Sequence, residues 1–197
     1  MNNTFFALTS RMKYIARWGL MRNSRSENIA EHSLEVAIIT HLLCELRNRR
    51  FGGNIDVSKA VLTAVYHDVP EIITGDLPTP VKYYDPEIKA AYKRVEQAAV
   101  DKLISSIPDD LKEGYAPLFD EDSDPETARI VKAADKLSAL IKCIEERRSG
   151  NADFSEAERQ TLEAIKKMRL PEADAFIEEF LPCYDLTLDE QTRPVSQ

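Results

Sequence analysis

The sequence predicts an all-α protein, a single domain of about seven helices. Three observations carry that reading. Apolar residues recur at three- and four-residue spacing along most of the 197 residues. No segment alternates apolar and polar residues with period two. Glycine is scarce, at 6 in the chain, which is poor material for a turn-rich β architecture.

The elements follow in order. Phe5, Leu8, Met12 and Ile15 make a first stripe. Ile29, His32, Val36, Ile39, Leu43 and Leu46 make a second. Asp56 or Ser58 caps a third helix that runs through Val61, Ala64, His67 and Asp68. Ile88, Tyr92, Val95, Ala99 and Leu103 mark a fourth. Asp124-Pro125-Glu126 sets an N-cap ahead of a proline at the first helical position, and the helix behind it carries Ile130, Ala134, Leu137 and Ile141. Ser155 caps a helix through Leu162, Ile165 and Met168, and a short last one runs through Phe176, Ile177 and Phe180. Breaks fall at 51–54, 74–80, 108–117 and 149–151. None is long enough for a domain linker, so residues 1–197 read as one domain with a polar tail after about residue 186.

Charge narrows the partners. With 26 bases against 34 acids the net charge is −8, which argues against a nucleic-acid polymer as ligand. A small anion stays open, because one local basic pocket suffices. Residues 1–26 hold Arg11, Lys13, Arg17, Arg22 and Arg25 and no acid, so this stretch is either a solvated helix face or partly turned toward an anion. Cys44, Cys143 and Cys183 lie far apart and make no zinc-like spacing. No signal peptide and no apolar run of the ~18–20 residues a membrane span needs is present, so the chain reads as cytoplasmic and reduced.

The chemistry sits on polar residues in apolar company. His41 has no acidic neighbour on its own turn and reads as structural or surface. His32 lies on the second stripe, where a lone histidine is usually a satisfied core residue. His67 and Asp68 stand together at the inner end of the third stripe, and a buried carboxylate is costly unless paired or metal-bound. Asp135 repeats the anomaly mid-helix, with a salt bridge to Lys132, Lys136 or another helix as the plain alternative. Three helices thus each bring a metal-capable group toward one core. Two imidazoles and two carboxylates can hold one divalent cation and leave positions for water and substrate, and mixed N/O ligation suits Mn, Co, Zn, Fe or Ni alike. One tension remains: adjacent helix residues point about 100° apart, so His67 and Asp68 share a cation only over the edge between them. Pro70 disfavours helix at Val69 and offers a kink there. Glu71, one turn on from His67, is then either a carboxylate supporting the ligands or a base acting on water.

The set His32…His67-Asp68…Asp135 resembles the HD-domain metal-dependent phosphohydrolases. Arg17-Trp18, Met21-Arg22-Asn23, Asn28-Ile-Ala-Glu-His-Ser33, His67-Asp-Val-Pro-Glu71, Thr74-Gly-Asp-Leu-Pro-Thr-Pro-Val-Lys-Tyr83, Lys132-Ala-Ala-Asp135 and Leu140-Ile-Lys-Cys143 together resemble the bacterial 5'-deoxynucleotidase (YfbR-like) family over nearly the whole chain. The resemblance implies an HD-domain helical bundle, cytoplasmic and homodimeric. Such an enzyme hydrolyses deoxyribonucleoside 5'-monophosphates to deoxyribonucleosides and phosphate with metal-activated water. It implies His32, His67, Asp68 and Asp135 as ligands of one divalent ion such as Co, Mn or Zn. Glu71 and Arg17 would be catalytic, the first supporting the attacking water and the second orienting phosphate. Trp18, Asp76, Leu77, Pro78 and Thr79 would contact the nucleotide, and His32, Asp68 and Asp135 would also line its side of the site. A guanidinium fork suits phosphate oxygens. Asp76 is placed to accept from the sugar 3'-hydroxyl and Trp18 to wall off the 2' carbon. The plain alternatives are Trp18 as a core aromatic and Asp76 as a turn former. Two other readings compete: another HD activity on cyclic nucleotides or nucleoside triphosphates, and a non-catalytic nucleotide sensor.

Overall fold

The computed structural model describes residues 3–82 and 84–193. It is all-α: among the described residues there is no β-strand, only an isolated antiparallel bridge between Ala16 and Asn28. The expected count of about seven helices is too low. Six helices of nine residues or more are present, and five one-turn α-segments and several 3-10 turns join them. The long helices are α2 (Ile29–Arg50), α3 (Val57–Tyr66), α6 (Pro86–Ser105), α8 (Pro125–Arg148), α9 (Ser155–Met168) and α10 (Pro171–Glu179). The short ones are α1 (Phe5–Thr9), α4 (Glu71–Thr74), α5 (Thr79–Lys82), α7 (Lys112–Tyr115) and α11 (Leu188–Gln191).

Local chemistry sets most of these boundaries. Asn28 Oδ1 accepts from the N–H groups of Ala30 and Glu31 at 3.0 and 3.1 Å and starts α2. Asp56 caps α3 through Lys59 N–H, and Asp124 caps α8 through Thr127 N–H with Pro125 in the first turn. Ser155 is not a cap: its hydroxyl donates to Ala152 O, and Asn151 caps a 3-10 turn that precedes α9. The first stripe is split between α1 and a 3-10 turn at Ser10–Tyr14. The region after residue 186 is not only a polar tail, since Thr187 and Glu190 form a capping box that starts α11. Residues 194–197 lie outside the described residues.

Two apolar clusters hold the chain together. The larger joins α2, α3, α8, α9 and α10 around Val36, Leu43, Ala60, Ala64, Ile130, Leu137, Ile141, Ile165 and Phe176. The smaller gathers Phe5, Met12, Ile29, Val69, Leu103 and Ile107, with Tyr66, Tyr115 and Phe119 packed on it edge to face. The fourth stripe is buried only in its second half. Ala99 and Leu103 are covered, whereas Ile88 and Val95 on the first half of α6 are exposed. Helices α2 and α3 border both clusters, through Ile29 and Tyr66 on one side and Val36 and Ala64 on the other.

Candidate metal centre and nucleotide site

Three of the four anomalous polar residues, His32, His67 and Asp135, reach one point, and Asp68 borders it against both histidines. His32 stands on the first turn of α2 and is fully buried. Helix α3 ends at Tyr66, earlier than the sequence expectation of a helix through Asp68. His67 and Asp68 lie in the tight turns that follow, where Val69, Glu71 and Ile72 N–H groups bond three residues back. The tension between adjacent helix residues is thus relieved before Pro70, because His67 and Asp68 are not on one regular helix. Asp135 comes from the middle of α8.

The distances are those of a cluster. His32 Nε2 is 3.2 Å from Asp135 Oδ1 and 3.4 Å from Asp68 Oδ2, and His67 Nε2 is 3.3 Å from Asp68 Oδ1. Ligand atoms of His32, His67 and Asp135 all lie within 4.8 Å of one another. Asp135 has no ion pair with Lys132 or Lys136 and lies instead against His32 of another helix; burial raises its carboxyl, but His32, His67 and Arg17 together hold it below its ordinary range. Both ring Nε2 atoms are buried without a hydrogen-bond partner.

The ring orientations say what those nitrogens are for. His67 Nδ1 is 2.7 Å from Ala64 O. A carbonyl only accepts, so Nδ1 carries the proton and Nε2 presents a bare lone pair to the Asp68 carboxylate. His32 Nδ1 lies 3.0 Å from Ser138 Oγ, which gives its own proton to Glu35 Oε2 at 2.6 Å. Arg17 Nη1 lies 2.8 Å from the same Nδ1 and can only donate, so Ser138 and Arg17 favour opposite tautomers of His32, while its Nε2 faces Asp135 and Asp68 without a hydrogen-bond partner. The His67 lone pair and the two carboxylates repel one another unless a cation sits among them. The donor set fits one divalent ion of the Zn, Mn or Co kind.

Around this point lie the other expected residues. Arg17 has one side-chain nitrogen 3.0 Å from Glu27 Oε2 and 2.8 Å from His32 Nδ1. Burial opposes its charge, yet Glu27, Asp135, Asp68 and Asp76 together raise its pKa further. Trp18 is half-buried, with its indole N–H on Glu27 and its ring on Phe154, so it is neither fully core nor free. Asp76 is half-buried and receives a hydrogen bond from the Trp18 backbone; burial nonetheless pushes its carboxyl up, against Arg17. Glu71 begins α4, with one carboxylate oxygen buried and unpartnered. Burial, then Asp68 and Asp76, push its carboxyl up to about 9.

Leu77 and Pro78 are half-buried in the turn behind Gly75, whose φ of 74° needs glycine. Tyr92 from α6 donates to Gly75 O at 3.3 Å and pins that turn. The side chain of Thr79 lies outside the described residues, as does Tyr83. His41 is exposed.

Four residues of the site escaped the sequence reading. Glu27 binds both Arg17 and Trp18, and Ser138 and Glu35 orient His32. Glu146, buried and ion-paired with Lys142, accepts the N–H groups of Ser24 and Arg25 in the loop that carries Trp18. A faint signal existed for Ser138 and Glu35, each three residues beyond a ligand on its helix.

Comparison with known proteins agrees with this geometry. The family model described as "5'-deoxynucleotidase YfbR-like" matches residues 4–184. A curated relative from Erwinia tasmaniensis, a 5'-deoxynucleotidase, is 50% identical over 188 residues, which is 94% of either chain. A solved HD-domain phosphohydrolase from Listeria innocua is 26% identical with a TM-score of 0.81, covering 92% of this chain and 88% of that one. The cyanophage S-2L HD phosphohydrolase DatZ, solved with dA and one catalytic Zn2+ ion, shares the fold at 22% identity and a TM-score of 0.65, over 92% of this chain and 96% of its own.

Proposed function

The chain belongs to the 5'-deoxynucleotidase YfbR-like family, and we infer from the site how its residues serve that activity. It is a phosphomonoesterase that hydrolyses deoxyribonucleoside 5'-monophosphates to deoxyribonucleosides and phosphate, with one divalent metal ion as cofactor. The observation that carries the metal assignment is the pair of buried imidazole Nε2 atoms that face Asp68 and Asp135 without a hydrogen-bond partner. We assign His32, His67, Asp68 and Asp135 as its ligands. When bound, the ion supplies Lewis-acid neutralisation of the phosphate and makes water more acidic.

The remaining roles belong to the chain's own groups. A phosphomonoester dianion repels an anionic nucleophile, and Arg17 offsets that charge and orients the phosphate. Water attacks phosphorus as the bond to O5' breaks; Glu71 takes the water proton, and the departing sugar oxygen takes a proton from solvent. Burial, Asp68 and Asp76 raise the Glu71 carboxyl to about 9, and a cation among the neighbouring carboxylates would oppose that rise and favour the basic form. Asp76 accepts from the sugar 3'-hydroxyl, and Trp18 closes the space beside the 2' carbon. Leu77, Pro78 and Thr79 complete the nucleotide contact, while His32, Asp68 and Asp135 border it from the metal side. The test is phosphate release from dAMP and AMP by dialysed protein with added Co or Mn. Much faster release from dAMP is expected; equal rates would remove the roles of Trp18 and Asp76.

Further proposals concern assembly and place. Residues 1–197 form one domain. A homodimer fits the exposed Leu34 and Ile38, one turn apart on α2 and each 63% exposed, with Leu62 and Val65 exposed on α3. Sedimentation at micromolar concentration decides it. No helix among the described residues is long and apolar enough to cross a membrane, and its unpaired cysteines fit the cytoplasm.

A further inference from the structure

We propose that Glu27 is a positioning residue that couples phosphate recognition to sugar discrimination. The inference rests on the roles assigned above to Arg17 and Trp18. Oxygen Oε2 of Glu27 accepts from Arg17 Nη1 and from Trp18 Nε1, each at 3.0 Å. The side chains of Arg17 and Glu27 are only 12% and 13% exposed, so the bond is shielded from water. The backbone repeats the connection, because Arg17 N–H donates to Glu27 O at 3.0 Å beside the Ala16–Asn28 bridge. Phosphate-facing and sugar-facing groups, adjacent in sequence, are thereby held by one atom at the far end of the loop.

The loop between them is built to keep that atom in place. Trp18 has φ 60°, a left-handed conformation that a bulky residue adopts only where its surroundings impose it. Asn23 Nδ2 donates to Trp18 O and Met21 O. Below, Glu146 accepts from Ser24 and Arg25 N–H, Lys142 Nζ donates to Arg25 O at 2.6 Å, and Asn151 Nδ2 donates to Arg22 O at 2.7 Å. Phe154, fully buried, carries the Trp18 ring at 5.2 Å between centroids and lies under the Lys142 ammonium. With the base of the loop fixed, any pull of a phosphate on Arg17 reaches Trp18 through Glu27.

Trp18 is the one tryptophan of the chain, so indole emission reads this bond directly and without substrate. Glu27→Ala removes the acceptor. Acrylamide quenching of Trp18 is expected to rise, and the dAMP-to-AMP ratio of kcat/KM to fall roughly tenfold, the value of one charge-assisted hydrogen bond. Glu27→Gln keeps an oxygen for the indole but removes the charge facing Arg17. It should hold wild-type quenching and discrimination while KM for dAMP rises and kcat stays. Unchanged quenching and ratio in Glu27→Ala overturn the proposal; if that variant does not fold, an unchanged KM in Glu27→Gln overturns it instead. Trp18→Ala separates the two layers. If it abolishes discrimination and Glu27→Ala does not, the sugar wall stands and the coupling falls. If Trp18→Ala leaves discrimination intact, the assignment of Trp18 fails and the coupling falls with it.

Discussion

Ser138 lies 3.0 Å from His32 Nδ1, and its own proton is already given to Glu35 at 2.6 Å. Its oxygen can therefore only accept from the ring, whereas Arg17, 2.8 Å from the same nitrogen, can only donate to it; a cation on Nε2 would select the tautomer that donates to Ser138. Burial raises the Glu35 carboxyl and the Ser138 hydrogen bond opposes that shift, so the chain of three groups is electrostatically tied.

Removing the middle link should loosen the metal. Ser138→Ala is expected to weaken binding of Co or Mn by ~10–100-fold, the usual effect of losing a group that orients a ligating histidine. Direct titration of metal into the dialysed variant checks this. Wild-type affinity would mean that Ser138 does not orient the ring.

Glu71→Gln preserves shape and removes the base. Metal content and dAMP affinity should hold, while kcat falls by ~10²–10⁴-fold, the range for a general base. A collapse of nucleotide affinity at unchanged kcat would make Glu71 a binding residue.

The same residue controls metal-free stability against pH. Unfolded, Glu71 titrates in the ordinary glutamate range; folded without a cation it titrates at about 9. Between those limits the folded chain holds a proton that the unfolded chain has released, so stability falls as pH rises through that window. Thermal melts in chelator should show the fall in wild type and a flatter profile in Glu71→Gln. Parallel profiles would place the raised carboxyl elsewhere.

Glu146 is 1% exposed and answers the equally buried Lys142. Glu146→Ala leaves that ammonium without its charge partner and frees the Ser24 and Arg25 N–H groups. A loss of about 3–5 kcal/mol of stability is expected in denaturant unfolding. A change near zero would mean that water replaces the carboxylate.

The four candidate ligands were legible because each breaks a local rule: His32, His67-Asp68 and Asp135 put polar groups on stripes that Val36, Ala64 and Leu137 bury. Periodicity also located the long helices. It found α6 but not its exposure, because amphipathic spacing at Ile88 and Val95 does not say whether another element covers them. It also ran α3 past Tyr66, since Pro70 marks a break without saying how many residues earlier the helix yields. Glu27 and Glu146 stayed hidden for a different reason. Their partners lie in contacts that only the folded loop makes: Glu27 reaches Trp18 across nine residues and Glu146 reaches Ser24 across 122.

The central assignment is one cation held by His32, His67, Asp68 and Asp135 and required for hydrolysis. Its most direct test is phosphate release from dAMP while Co or Mn is titrated into chelator-dialysed protein. Turnover should rise from background to a plateau at one equivalent, and the same titration of Asp68→Ala should stay at background. Full turnover in excess chelator, or an active Asp68→Ala that binds metal normally, would contradict it.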